Sequence, residues 1–188
     1  MIRYPILSIA SSRSTLAGSA MGRQMLALLI GETKAVLGPS VAYLDFSGVD
    51  IATGSFLREA VLGFRDFSRN AIGLLYPVVA NANAVIEEEL SDYLTDRTDA
   101  MWACNLNGAD EITNPRLLGA LDSAHAKTLR FIAEHRLISA PELAKLHPDE
   151  GVGPTAWNNR LATLSSKGIV MEMKSGKTKS FAPVLDTN

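Results

Sequence analysis

The sequence is poor in cysteine, in aromatic residues and in long apolar runs. Its one cysteine, Cys104, has no partner for an internal disulfide. A reduced, cytoplasmic setting is therefore expected. The longest nearly apolar stretches, Met25–Gly31 and Ile72–Ala80, fall well short of the roughly 18 residues of a membrane span, so no membrane partner is expected. The start, MIRYPILSIASSRS, lacks the apolar core and small-residue cleavage site of a secretory signal. With 14 Gly and 8 Pro, the chain cannot be collagen-like or a Pro/Gly linker protein. What is present is ordinary for a globular protein: 188 residues, 47% hydrophobic and 20% charged. That length allows one large domain or two small ones.

The formal net charge of −2 hides an asymmetry. Residues 1–122 carry 9 Lys/Arg against 14 Asp/Glu, a balance of −5, and residues 123–188 carry 9 against 6, a balance of +3. Between Gly153 and Phe181 the basic residues are Arg160, Lys167, Lys174, Lys177 and Lys179, and the one acid is Glu172. A sign change between halves suggests two modules with a polyanion-facing C-terminus. A solvated basic face is the alternative.

The first half alternates strand and helix patterns. Tyr4–Ile9, Val41–Phe46, Ile72–Ala80 and Met101–Leu106 are short apolar runs that read as strands. Met21, Met25, Leu28 and Leu29 lie at helical spacing, as do Leu57, Ala60, Val61 and Phe64, and again Ile86, Leu90, Tyr93 and Leu94. Asn81 or Asn83 is expected to cap the third of these helices. Asn107-Gly108 reads as a hairpin turn leading into Glu111–Thr113. Such alternation predicts an α/β layer structure with a partly parallel sheet.

Within it, Tyr43-Leu-Asp-Phe-Ser-Gly-Val-Asp-Ile-Ala-Thr-Gly-Ser-Phe-Leu57 resembles the strand–turn–helix of STAS domains, found in anti-sigma-factor antagonists and sulphate transporter tails. Leu44, Asp45, Ser47, Val49, Ser55 and Leu57 match that pattern. Thr53, Gly54 and Phe56 depart from it, and the run is more similar to a separate STAS-like family of unknown function. The resemblance spans Ile2 to about Thr113. It implies a kinase-like ATPase or another protein as partner, and Ser55 as a regulatory phosphosite. The residues alone also allow Thr53 and Ser55 to be plain helix caps.

The last third reads as three helices and a β-hairpin. Asp122 or Ser123 caps a helix ending near His135-Arg136. Ser139 with Glu142 forms a capping box around Pro141, with Leu143 and Leu146 expected inward. Trp157, Leu161 and Leu164 form the inner face of a third helix that Gly168 closes. The strands follow at Ile169–Met173 and Thr178–Val184. Leu161-Ala-Thr-Leu-Ser-Ser-Lys-Gly-Ile-Val170 resembles the winged helix-turn-helix signature of bacterial repressors over roughly Ser123–Val184. That resemblance implies double-stranded DNA as partner and a homodimer. It places Thr155, Asn158, Asn159 and Thr163 on the outward face of the third helix, facing bases. Arg160 and Lys167 flank that helix, and Lys174, Lys177 and Lys179 decorate the wing, suited to phosphates.

The predicted organisation is thus a STAS-like α/β layer domain at 1–114, a connecting segment at 115–122 and a winged helix at 123–188. Leu117-Leu-Gly-Ala-Leu121 is too apolar for a free linker, and is expected to pack between the modules or at a dimer interface. Ser175-Gly176-Lys177-Thr178 lacks the upstream glycine of a phosphate-binding loop, since Met171 stands there. His125, His135 and His147 show no zinc-site spacing, and Cys104, Trp102 and Trp157 read as core residues. No nucleophile elbow, dinucleotide loop or carboxylate pair is present, so neither enzymatic activity nor a metal or cofactor is expected. Two functions remain from the sequence: a DNA-binding regulator, or a protein-interaction switch whose winged helix docks a protein.

Overall fold

The structure, a computed structural model, describes residues 1–176 and 178–186. The fold is mixed α/β with a sheet of mixed direction. In chain order the first part is β1 (Ile2–Pro5), α1 (Ile6–Ile9), β2 (Thr15–Leu16), α2 (Ser19–Glu32), β3 (Ser40–Asp45) and β4 (Ile51–Ala52). Then come α3 (Gly54–Leu57), a π-helical stretch Arg58–Leu62, α4 (Gly63–Phe67), a second π-helical stretch Ser68–Ile72, β5 (Leu75–Ala80), α5 (Ala84–Thr95), β6 (Ala100–Leu106) and β7 (Ile112–Gly119). The rest is α6 (Ser123–His135), α7 (Ala140–Leu146), a 3-10 turn Pro148–Glu150, α8 (Pro154–Ser166), β8 (Val170–Ser175) and β9 (Thr178–Pro183).

The main sheet runs β1-β3-β5-β6-β7. Its first four strands pair in parallel, and β7 closes it antiparallel. The parallel strands step across the sheet in one direction. Right-handed crossovers then put every connecting helix on the same face. Accordingly Met25, Leu29, Phe56, Phe64, Ile86, Leu90 and Leu94 from the helices form one buried cluster with Leu44, Leu75, Val79, Met101 and Ala103 of the strands. Strand side chains alternate, so Tyr43, Tyr76, Val78, Ala80, Trp102 and Cys104 point to the other face.

That second face is apolar and no crossover helix covers it. The C-terminal third covers it. Phe131, Ile132, Leu143, Trp157, Leu161, Leu164, Ile169 and Phe181 join the second-face strand residues in one cluster. Polar bonds fasten the two layers: the Trp102 indole N–H donates to Ile169 O (2.8 Å), Arg69 Nε to Ser165 O (3.0 Å) and Glu172 N to the Tyr76 hydroxyl (2.9 Å). The Arg69 guanidinium also lies 3.8 Å from the centre of the Tyr76 ring. Burial lifts the Cys104 thiol to about 11, so it stays protonated at neutral pH.

Local expectations fail in four places. Tyr4–Ile9 is not one strand: the chain leaves the sheet after Pro5 and takes one helical turn. The helix expected near Ser55–Phe67 extends to Ile72 with two π-helical stretches. Leu57, Ala60, Val61 and Phe64 are buried as their spacing predicts, and Leu62, Arg65 and Ser68 beside them are buried too. Leu28 and Leu146, expected inward, are about half exposed at 49% and 54%; Leu146 is the last residue of α7, beyond the contact that Leu143 makes. The sheet does not end near residue 114, because β7 continues to Gly119. Leu118 enters the first cluster while Leu117 packs against the second, which is why the predicted connecting segment is so apolar. At its end Gly119 has φ +84°, and a Cβ there would stand 2.3 Å from Asp99 O, so only glycine fits.

Candidate nucleic-acid interface

In α8, Trp157, Leu161 and Leu164 are fully buried, and Thr155, Asn158 and Asn159 are exposed on the opposite side. Pro154 at the first helical position and Gly153 before it start the helix, and Gly168 at φ +77° turns the chain into β8. Thr163 is half-buried, and its hydroxyl donates to Asn159 O (3.0 Å), so it is tied to its own helix. Arg160 is half-buried with its guanidinium 5.1 Å from the centre of the Trp157 ring. The outward face is therefore a short stripe of hydroxyl and carboxamide groups.

The hairpin beside it pairs Lys174 directly with Lys179 across β8 and β9. Both ammonium groups approach the single carboxylate of Glu172, at 3.5 Å and 3.0 Å. Glu172 thus offsets part of the like-charge repulsion of the Lys pair. Lys177, expected in the same patch, lies outside the described residues.

Lys167 differs from the expectation. It is turned toward the sheet layer, where Nζ donates to Asp99 Oδ1 (2.8 Å) and Thr98 O (3.3 Å). Asp99 also receives Arg65 Nη2 at 2.8 Å. Burial alone would raise the Asp99 carboxyl, but Arg65 and Lys167 outweigh it and hold the pKa below the ordinary carboxylate value. Lys167 therefore joins the two layers and is not a free phosphate contact.

No model of a known protein family matches the chain, and no curated protein or solved structure matches it either. Any functional reading therefore stands on the residues themselves.

Ser55 lies in the first turn of α3, half-buried. Thr53 is the cap: its Oγ1 accepts from Phe56 N (3.4 Å) and from Gly18 N (3.1 Å). The Ser55 hydroxyl is 3.2 Å from that same oxygen. Glu89, from α5, already accepts from Gly54 N at 3.0 Å. A phosphate on Ser55 would add negative charge one residue from the Gly54 N–H that this carboxylate already occupies, so the two would repel. At the end of β3, Asp45 receives Arg3, Asn81 and Ser47. Burial would raise its carboxyl, but these donors hold it below the ordinary value.

Sequence reasoning missed the contacts that join the layers, made by Arg69, Tyr76, Asp99 and Trp102, the last read only as a core residue. Their partners lie 67 to 96 positions away in the chain, and no local pattern marks such pairs. The role of Glu172 was also missed, though a signal for it was present. It stands two residues from Lys174 in a strand, hence on the same face.

Proposed function

We propose that the chain is a DNA-binding transcriptional regulator. In this reading residues 123–184 form a winged helix that contacts double-stranded DNA, and residues 1–119 form a STAS-like domain that receives a signal through a protein partner or self-association. One observation carries the proposal: the exposed Thr155, Asn158 and Asn159 stripe of α8 lies next in the chain to a hairpin bearing Lys174 and Lys179. Carboxamides pair with adenine edges, and lysines contact phosphates.

The test is binding of the chain to mixed genomic DNA fragments over a range of salt. Affinity should fall with salt at a log–log slope of roughly −0.9 per phosphate contacted. Replacing Lys174 and Lys179 with Ala should weaken binding to all sequences alike and make the slope shallower. Replacing Asn158 and Asn159 with Ala should mainly relax sequence preference. Absence of binding at low salt would sink the regulator reading.

A further expected result separates the roles within the hairpin. Glu172→Gln removes the carboxylate that Lys174 and Lys179 share, and should tighten DNA binding by roughly 3- to 10-fold at low salt, with a steeper salt slope. Unchanged affinity in electrophoretic or anisotropy titrations would mean that the hairpin lysines do not face phosphate.

The second reading is a protein-interaction switch with no DNA role. The observation that favours it is the internal neutralisation of the basic patch: Lys167 is bound to Asp99, and Lys174 and Lys179 share Glu172. Under that reading the DNA titrations give no saturable binding, and mass spectrometry of Ser55 in protein from its native host becomes the informative measurement.

A further inference from the structure

We propose that the hollow between β6, β7 and α6 is a binding site for an apolar organic carboxylate, such as a medium-chain aliphatic or small aromatic acid. The hollow has a volume of about 430 Å3, within the range that small-molecule pockets occupy. Its origin is sequence-determined. Helix α6 buries Thr128, Phe131 and Ile132, while another side of the same helix presents Ala126, Leu129 and Ala133 to the hollow. The two alanines leave room that longer side chains would fill. Opposite them stand Trp102, Leu117 and Leu121.

The walls select the ligand's chemistry. The Trp102 indole N–H is already bonded to Ile169 O, so Trp102 offers the hollow only its apolar surface. Among the described residues, the charged ones that line the hollow are Arg116 and Arg130, and none is a carboxylate that would hold a cation. Arg116 is fixed by Glu87, which receives both its Nε, at 3.0 Å, and its Nη2. Arg130 is largely exposed: Glu134 is 4.0 Å away, an ion pair worth almost nothing in water, the Phe131 ring centre is 5.7 Å from its guanidinium, and Glu150, which it influences through space, has Lys127 as its closer partner. Its guanidinium is therefore available. An apolar body with one carboxylate end satisfies both the walls and Arg130, by a forked, charge-assisted pair. An alkyl alcohol or alkyl amine satisfies the walls alone, and the amine's charge is repelled by Arg130. This proposal does not depend on the DNA reading.

The test is calorimetric titration of the full chain with octanoate and, as the neutral match, octanol. Octanoate should bind saturably with one site per chain, and octanol about 10-fold or more weakly, the size of a lost charge-assisted hydrogen bond. Arg130→Gln should bring octanoate down to the octanol level while leaving octanol unchanged. Ala126→Trp, at an exposed helix position, should fill the hollow and abolish binding of both, with a thermal melt of each variant confirming that it folds. Three results would overturn the proposal. One is absence of saturable octanoate binding. Another is octanoate affinity unmoved in either folded variant. The third is sedimentation showing a dimer that Ala126→Trp splits, which would make the hollow an interface between copies of the chain.

Discussion

Trp102→Ala should destabilise the whole molecule by about 4 kcal/mol, the usual cost of truncating a buried tryptophan. Trp102 is 3% exposed. Its ring belongs to the second-face cluster, and its N–H is the donor for Ile169 O. The loss therefore combines a cavity with one hydrogen bond lost at the root of the hairpin, where Ile169 O keeps only the Val184 N–H (3.2 Å). Trp102→Phe keeps most of the volume and removes the donor, so it should cost about 1–2 kcal/mol. Denaturant titration followed by both far-ultraviolet circular dichroism and tyrosine fluorescence should give one coincident transition, shifted to lower denaturant. Two separate transitions, with the helix–hairpin part unmoved by the substitution, would show that the layers do not depend on each other.

The second large effect centres on Asp99. Its carboxylate is 14% exposed and takes Arg65 and Lys167, each at 2.8 Å. Asp99→Ala leaves the Arg65 guanidinium, 9% exposed, without its main counter-charge. Removing one partner of a buried pair costs about 3–5 kcal/mol. The lower end is expected, because Arg65 keeps Ala100 O and Asp66 as neighbours. The pH dependence has a definite sign. The folded-state pKa of Asp99 lies below its ordinary value, so its contribution is fully present above about pH 4 and fades as pH falls through the folded pKa. The variant should lose that part of the acid-side decline in stability. Lys167→Met should cost less, about 1 kcal/mol, since its ammonium is closer to solvent. An unfolding free energy unchanged by either substitution would mean that this link between the layers carries no stability.

Much of the local structure was legible because it follows from short-range chemistry. The Ser139/Glu142 capping box forms as spaced, with Glu142 Oε2 accepting both the Ser139 N–H (2.8 Å) and its hydroxyl (2.6 Å). Asn83 and Asp122 cap their helices. The inner stripe of α8 lies where periodicity puts it. The run of β3, near-continuously apolar, read as a strand buried on both faces. What covers the second face was not legible, since alternation says only that a surface is buried and never by what. The helix edges at Ile6 and Ile72 were missed for a related reason. A short apolar run after Pro5 has no period long enough to separate strand from helical turn, and π-helical stretches leave no mark in a count based on 3.6 residues.

The candidate site shows the same division. Which α8 side chains face outward follows from one helix and its heptad-scale spacing. Which cations are free does not, because Lys167 is engaged by a residue 68 positions earlier.

The order of the chain gives the shared core one more consequence. Synthesis delivers the complete sheet first, with Tyr43, Tyr76, Val78 and Trp102 on a face whose cover is still unmade. About 65 further residues must follow, which at roughly 5–20 residues per second takes several seconds. During that interval the nascent chain presents a broad apolar surface to chaperones and to its neighbours on the same message. Variants that slow the docking of the last third should therefore lower yield in the cell before they lower stability in the test tube.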